Sequence, residues 1–286
     1  MTLLGRTKRG LASVLQRLLA TRGYTIARPE RLAPPERLTE ALHRAAESEA
    51  LRMRTVRQLH DLYVDTLMRG LPPCEGRVEL LGRMRGTDVS AAMYLVHHLH
   101  ASLRAPGDVC EFGVAEGRTS ALLANELLGI PDRSLWLYDT FTGLPDPGEK
   151  DVLLDDQLRL GDAGGYAGWL AHGEEEVRAE LAAVGFPEHR TRIVPGLVPR
   201  DLTDDRLPET VAFAYLDMDF YDGTRGALDA LHDRLSAGST VVLDDYAYFT
   251  AGPKTATEEF LAAHPLLYEF EIGPRYAGHF AVLSRR

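Results

Sequence analysis

Two apolar segments in the second half of the chain each end in a pair of aspartates. VAFAYLDMD ends in Asp217 and Asp219, and STVVLDDY carries Asp244 and Asp245. Carboxylates placed this close together repel and raise one another's pKa. A bound divalent cation removes that repulsion, and oxygen-only ligands favour Mg²⁺, Ca²⁺ or Mn²⁺ over Zn²⁺. Helix caps and solvated turns are the ordinary alternative explanation for such aspartates.

The segment between the two acidic ends decides whether they can meet. It reads GTRGALDALHDRLSAG, which predicts a helix that Gly238 stops. A strand, a helix and a second strand predict two parallel neighbours in one sheet. Ligands bind outside the carboxyl ends of such strands. We therefore expect Asp217, Asp244 and Asp245 to converge at one edge of the sheet as a cation site.

An earlier segment, CEFGVAEGRTS, predicts a strand that turns into a helix. It places Glu111, Gly113 and Gly117 at the turn, with Thr119 and Ser120 at the start of the helix. Glycines let a ligand approach the backbone closely, and the free N–H groups of a helix N-terminus attract anions. The Gly-x-x-x-Gly spacing differs from the Gly-x-Gly-x-x-Gly pattern of dinucleotide sites.

The next predicted strand ends in Asp139, twenty-six residues after Gly113. An acid at this place can accept hydrogen bonds from the hydroxyls of a ribose. Together with the glycine turn, it predicts a nucleoside cofactor without a pyrophosphate, and S-adenosylmethionine is one such molecule.

These residues need a particular scaffold. From residue 106 onward, short apolar segments alternate with helical ones: GDVCEFGV, SLWLYDTF, RIVPG, VAFAYLDMD and STVVLDDY. This alternation predicts a doubly wound α/β domain with a mostly parallel sheet over residues 106–286. Residues 1–105 have helical periodicity and predict a helical N-terminal extension or cap.

Composition excludes several classes of function. The chain has 286 residues, 45% hydrophobic and 26% charged, with a net charge of −10. This balance predicts a globular protein, and the negative charge argues against nucleic acid as a partner. Apolar runs are too short for a membrane span. The basic amphipathic start of the chain does not fit a signal peptide; it favours packing on its own protein or on a second subunit over a membrane surface. We expect a cytoplasmic homo-oligomer that associates through its N-terminal helices.

The segments GDVCEFGVAEGRTS, LWLYDTFTGLP, RIVPG, LDMDFYDGT and LSAGSTVVLDDY resemble the macrocin O-methyltransferase family. The resemblance covers most of residues 106–250. It implies the Rossmann-like fold of class I methyltransferases, with S-adenosylmethionine and Mg²⁺ as cofactors. It also implies an enzyme that methylates a sugar hydroxyl of a glycosylated natural product or of its sugar precursor.

The resemblance also assigns residues. It implies that Mg²⁺ is bound by Asp217, Asp244 and Asp245. It places these residues near the cofactor: Met84, Glu111, Gly113, Gly117, Thr119, Ser120, Asp139, Thr140, Phe141, Gly196 and Leu197.

Three positions depart from the patterns of the relatives. Met218 stands where the family has the glycine of Asp-Gly-Asp, and Leu197 stands where an aromatic residue is usual. Phe220 occupies the position at which catechol-type methyltransferases carry a lysine base.

The sequence therefore leaves the identity of the general base open. The candidates are Asp217, Asp219 and His172, and we favour the aspartates because a metal-bound alcohol needs only a weak base close by. His172 belongs to a predicted lid, residues 142–176, which we expect to order over the acceptor.

Two other functions remain possible from the sequence. One is a metal-dependent methyltransferase that acts on a catechol-type phenol. The other is a nucleotide-binding partner protein that has lost catalysis.

Overall fold

The computed structural model describes residues 35–84 and 88–286. The chain divides into two compact units, Met1–Arg52 and Met53–Arg286. Helix α1, Pro35–Leu62, crosses this boundary and continues into a π-helical turn at Tyr63–Leu67. The basic amphipathic segment at the N-terminus lies outside the described residues, so oligomerisation through it stays a prediction.

A seven-stranded sheet forms the centre of the second unit. Its strands are β1 Asp108–Phe112, β2 Leu135–Asp139, β3 Thr191–Pro195, β4 Val211–Leu216, β5 Leu235–Leu243, β6 Tyr268–Ile272 and β7 Ala281–Arg285. They follow the order β3-β2-β1-β4-β5-β7-β6, in which β1 to β5 are parallel and β7 is antiparallel to both neighbours. The predicted doubly wound α/β fold is confirmed, and the antiparallel pair at the edge adds to it.

Helices cover both faces of this sheet. They are α2 Arg77–Leu81, α3 Asp88–Ser102, α4 Arg118–Leu127, α5 Glu174–Ala183, α6 Tyr221–Leu231 and α7 Gly252–Ala263. The core on one face joins α3, α4 and α5, and the core on the other joins α6 and α7. Strands covered on both faces must be apolar throughout, and every side chain of β4 is buried. No helix within the described residues combines the length and apolarity needed to cross a membrane.

Helices α2 and α3 lie in the same compact unit as the sheet. Helix α3 packs on β4 and β5, directly behind the strands that carry the aspartates. A separate role of residues 1–105 as an extension or cap therefore stays a prediction.

One predicted boundary is wrong. Gly238 does not stop the helix between the two acidic segments, because α6 ends at Leu231 and β5 already begins at Leu235. The pairing of β4 with β5 shifts register between Val211 and Phe213. Gly238 has φ +88° inside β5, so this glycine supplies the conformation of an irregular strand.

Candidate active site

The carboxyl ends of the parallel strands meet at one edge of the sheet. The backbone N–H of Asp217 donates to the carbonyl oxygen of Phe112 at 2.8 Å, and that of Asp244 donates to Leu216 at 2.8 Å. The ladder between β1, β4 and β5 thus continues one residue past the strands. It sets the first acid of each pair side by side at the end of the sheet.

Three carboxylates form the tightest cluster at this edge. One oxygen each from Asp217, Asp219 and Asp245 lies within 4.8 Å of the others. Asp219 and Asp245 have φ values of 58° and 49°, in the left-handed region. Aspartate tolerates this region better than most residues do. The two backbone conformations turn their side chains back toward Asp217.

All three carboxylates of this cluster have raised pKa values. Burial and the neighbouring Asp244 raise the pKa of Asp217 well above its usual range. Burial also raises the pKa of Asp219 to about 7 and, together with Asp244, that of Asp245 to about 9. Because lost hydration and like charge disfavour the ionised forms, a hard divalent cation fits the site chemically.

The sequence-based metal set contained Asp244, whereas the structure gathers Asp219 with Asp217 and Asp245. Asp244 has another environment. Its Oδ2 accepts a hydrogen bond from the Tyr215 hydroxyl, and its Oδ1 accepts the backbone N–H of Asp245 at 2.8 Å. Sequence reasoning missed Tyr215, although it lies two residues before Asp217 and so faces the same side of the strand.

The glycine turn after β1 packs directly against the acids. Gly113 has φ +82°, and a Cβ atom there would lie 1.9 Å from the carbonyl oxygen of Asp217. Gly117, with φ +81°, instead faces α5, where a Cβ atom would lie 3.1 Å from Val177. Gly113 therefore permits contact between the two halves of the site, while Gly117 permits close helix packing.

Asp139 holds this turn from the end of β2. Its Oδ2 accepts the backbone N–H groups of Val114 at 2.7 Å and Ala115 at 3.1 Å, and its Oδ1 accepts that of Phe141 at 2.7 Å. A carboxylate offers about four lone-pair positions, so these three donors leave capacity for a ligand hydroxyl.

Glu111 is a buried acid with an unused oxygen. Ser120 donates to its Oε2 at 2.5 Å. Within the described part of the chain, its Oε1 is buried and has no hydrogen-bond partner. Burial raises the pKa of Glu111 to about 8. Buried polar atoms are rarely left unpaired, so this oxygen points to a bound donor group.

A cavity of about 620 Å³ joins the glycine turn to the acids. That volume lies within the range of small-molecule and cofactor sites. The predicted residues that line it, besides all four aspartates, are Met84, Glu111, Gly113, Thr119, Asp139, Thr140, Gly196 and Leu197. Gly117, Ser120 and Phe141 do not line it.

His172 is not brought into the site. Its Nδ1 lies 2.9 Å from Glu176 Oε2 on the half-exposed start of α5, and it does not line the cavity. The predicted lid is itself folded and packs on the site through a small apolar cluster that includes Tyr166, Phe220 and Phe249.

Comparison with known proteins decides the family. The sequence profile of the macrocin O-methyltransferases (TylF) matches residues 13–271. The chain belongs to the macrocin O-methyltransferase family. This confirms the resemblance inferred from the sequence motifs.

Curated relatives of this macrocin-type chain include two Streptomyces proteins. The 8-demethyl-8-(2,3-dimethoxy-alpha-L-rhamnosyl)-tetracenomycin-C 4'-O-methyltransferase of Streptomyces olivaceus is 35% identical over 144 residues, 50% of this chain and 54% of the relative. The demethyldecarbamoylnovobiocin O-methyltransferase of Streptomyces niveus is 32% identical over 143 residues, 49% of this chain and 53% of the relative. The chain thus spans about half the length of the curated relatives it matches.

Solved structures support the fold. The O-methyltransferase NovP superposes with a TM-score of 0.58 and 26% identity, covering 69% of this chain and 80% of NovP. The calicheamicin methyltransferase CalS11 gives a TM-score of 0.57 with 22% identity, covering 92% of this chain and 95% of CalS11. The fold is therefore the Rossmann-like fold of class I methyltransferases.

Proposed function

We propose that this macrocin-type chain transfers a methyl group from S-adenosylmethionine to a sugar hydroxyl of a glycosylated natural product, with a divalent cation at the acids. One observation carries the proposal. A single cavity joins a glycine turn suited to a nucleoside cofactor with a carboxylate cluster suited to a hard cation.

The chain's own residues can hold the cofactor. S-adenosylmethionine, when bound, supplies an already activated methyl group and an ammonium. Gly113 lines the cavity, and Asp139 is placed to accept from a ribose hydroxyl. The unpaired Oε1 of Glu111 can accept a hydrogen bond from the ammonium, which would also favour the ionised carboxylate.

Asp217 and Asp245 are cation ligands in both possible sets. The third ligand is Asp219 in the grouping that the structure brings together, and Asp244 in the grouping that the resemblance implies. A divalent cation supplies Lewis acidity that lowers the pKa of a sugar hydroxyl. The aspartate outside the ligand set would then be the candidate for accepting the proton of the hydroxyl. His172, which faces Glu176 outside the cavity, is the weaker candidate.

The mouth of the cavity favours a sugar that is attached to a neutral, apolar aglycone. Six large apolar side chains of the lid are exposed, among them Trp169 by 44% and Leu170 by 55%, and Leu170 also lines the cavity. The two arginines in the described lining are already paired, Arg118 with Glu116 and Arg200 with Asp201, each at 2.7 Å. A nucleoside diphosphate would have to compete with these carboxylates for the arginines, whereas an aglycone ring would gain apolar contact.

A phenol substrate has less support. Phe220, at the position of the catechol-type lysine, is buried in the lid cluster and offers no base. A catalytically silent partner would keep cofactor binding without turnover.

The test compares acceptor classes in one assay. The chain is incubated with S-adenosylmethionine and Mg²⁺ together with neutral glycosides of aromatic polyketides, a nucleoside diphosphate rhamnose, or catechol, and methylation is followed by mass spectrometry. We expect a mass gain of one methylene on a glycoside, and its loss in EDTA. Methylation of catechol alone would favour the phenol function. Binding of S-adenosylhomocysteine with no turnover on any acceptor class would favour the silent partner.

A further inference from the structure

The lid contains a buried carboxylate, Asp151, that the proposed chemistry leaves unused. It is 5% exposed and lines the cavity. Its Oδ1 accepts the backbone N–H of Tyr221 at 2.6 Å, and its Oδ2 accepts that of Gly148 at 2.7 Å. The side chain therefore ties the lid to the first residue of α6.

The carboxylate of Asp151 fits closely between two helix starts. Gly252 is the first residue of α7, and a Cβ atom there would lie 2.0 Å from Asp151 Oδ1. The carboxylate thus lies between the first turns of α6 and α7, where helix ends favour negative charge. Helix α6 starts two residues after Asp219, and α7 starts seven residues after Asp245. Asp151 contacts the segments that follow both acidic loops.

The backbone around Asp219 needs such support. We call residues 217–220 the acid turn; it holds Asp219 at φ 58°. Left-handed conformations of this kind persist only where the surroundings fix them. The buried hydroxyl of Thr250 donates to the carbonyl oxygen of Asp219 at 2.7 Å. Thr250 fixes the turn from the β5 side, and Asp151 fixes its exit from the lid side.

A second lid carboxylate shows what distinguishes Asp151. Asp156 also accepts two backbone N–H groups, from Leu160 at 2.8 Å and Gly161 at 3.0 Å, and the hydroxyl of Tyr166 at 2.8 Å. Those donors belong to the lid itself, and Asp156 does not line the cavity. Asp156 therefore has similar chemistry without a direct hydrogen bond to the start of α6, and it reaches the acid turn only through Tyr166, which shares an apolar cluster with Phe220.

We propose that Asp151 is a positioning residue that couples the lid to the acid turn and thereby sets the geometry of the cation ligands. This rests on the proposed cation site. Outer contacts that orient metal ligands change metal affinity by about 10–100-fold when they are removed.

The experiment compares Asp151→Ala, Asp151→Asn and the matched control Asp156→Ala with the full wild-type chain. Mn²⁺ affinity is measured by electron paramagnetic resonance, and hydrogen exchange of residues 217–220 is measured by mass spectrometry. We expect Asp151→Ala to weaken Mn²⁺ binding at least tenfold and to speed exchange in the acid turn. Asp151→Asn, which keeps one acceptor oxygen, should recover part of both, and Asp156→Ala should stay within twofold of wild type.

Two results would overturn the coupling. One is an Asp151→Ala chain with wild-type Mn²⁺ affinity, and the other is an Asp156→Ala chain that is equally impaired. If Asp151→Ala does not fold, Asp151→Asn is judged by the same two measurements. A wild-type chain that binds no Mn²⁺ would instead contradict the proposed cation site, and the coupling would then be decided by exchange in residues 217–220.

Discussion

Replacing Asp245 by asparagine should stabilise the metal-free protein. The three clustered oxygens lie within 4.8 Å of one another. At an effective dielectric constant near 20, two unit charges at that distance repel by about 3.5 kcal/mol. Asp245→Asn removes two of the three pairs. Because partial protonation already relieves much of this repulsion, we expect a gain of about 2 kcal/mol, or a Tm rise of about 4–6 °C.

The sign of the pH dependence follows from the raised pKa values. An unfolded aspartate loses its proton near its usual pKa of 3.8, whereas folded Asp219 holds it to about 7 and folded Asp245 to about 9. Between those values the folded chain binds more protons than the unfolded chain, so stability falls as pH rises. The advantage of Asp245→Asn in EDTA should therefore grow from pH 5 to pH 9.

Mg²⁺ should reverse the order of the two proteins. A ligand present at one hundred times its Kd stabilises the folded state by about 2.7 kcal/mol, and the variant has lost a ligand for it. Scanning fluorimetry in EDTA and in Mg²⁺ measures both effects, with Asp233→Asn as the control because its side chain is 93% exposed. A wild-type Tm that is insensitive to Mg²⁺, or an Asp245→Asn chain that responds equally, would refute the reasoning.

Three further changes test the rest of the site. Asp139→Ala leaves the N–H groups of Val114 and Ala115 without their acceptor. The affinity for S-adenosylhomocysteine, measured by calorimetry, should therefore fall about 10–100-fold. Unchanged affinity would show that the ribose binds elsewhere. His172→Ala should leave the methylation rate within about threefold, and a loss of 10²-fold or more would restore the histidine as the base. Gly113→Ala should lower Tm far more than Gly161→Ala. Both glycines have a positive φ, but only at Gly113 would an added Cβ meet another backbone atom. Equal losses of Tm would contradict that contact.

Sequence patterns could predict the strands that carry the site, because strands buried on both faces must read as apolar runs. The five predicted segments correspond to β1 to β5, although β3 at the edge of the sheet is only partly buried, and the glycine turn and the paired acids follow as expected. The pair β6 and β7 was not predicted. Most residues of β6 are exposed, so its sequence lacks the apolar run that identified the other strands.

Side-chain placement within the site could not be read in the same way. The pairing of Asp219 with Asp245 depends on two left-handed backbone conformations that no spacing announces. Asp151 is one of several acids in the lid, and its sequence context does not set it apart from Asp156. Only the packing of α6 and α7 shows that Asp151 is the one bonded directly to the start of α6.

The contact between Gly113 and Asp217 explains why one cavity serves both halves of the proposed reaction. Any side chain at residue 113 would collide with the carbonyl oxygen of Asp217, so the turn after β1 and the acid turn form one packed unit. Asp139 fixes the first of these turns, and Thr250 fixes the second. A methyl donor held by one turn and an alcohol held by the other would then meet at a separation that the backbone sets, which is the positioning that methyl transfer requires.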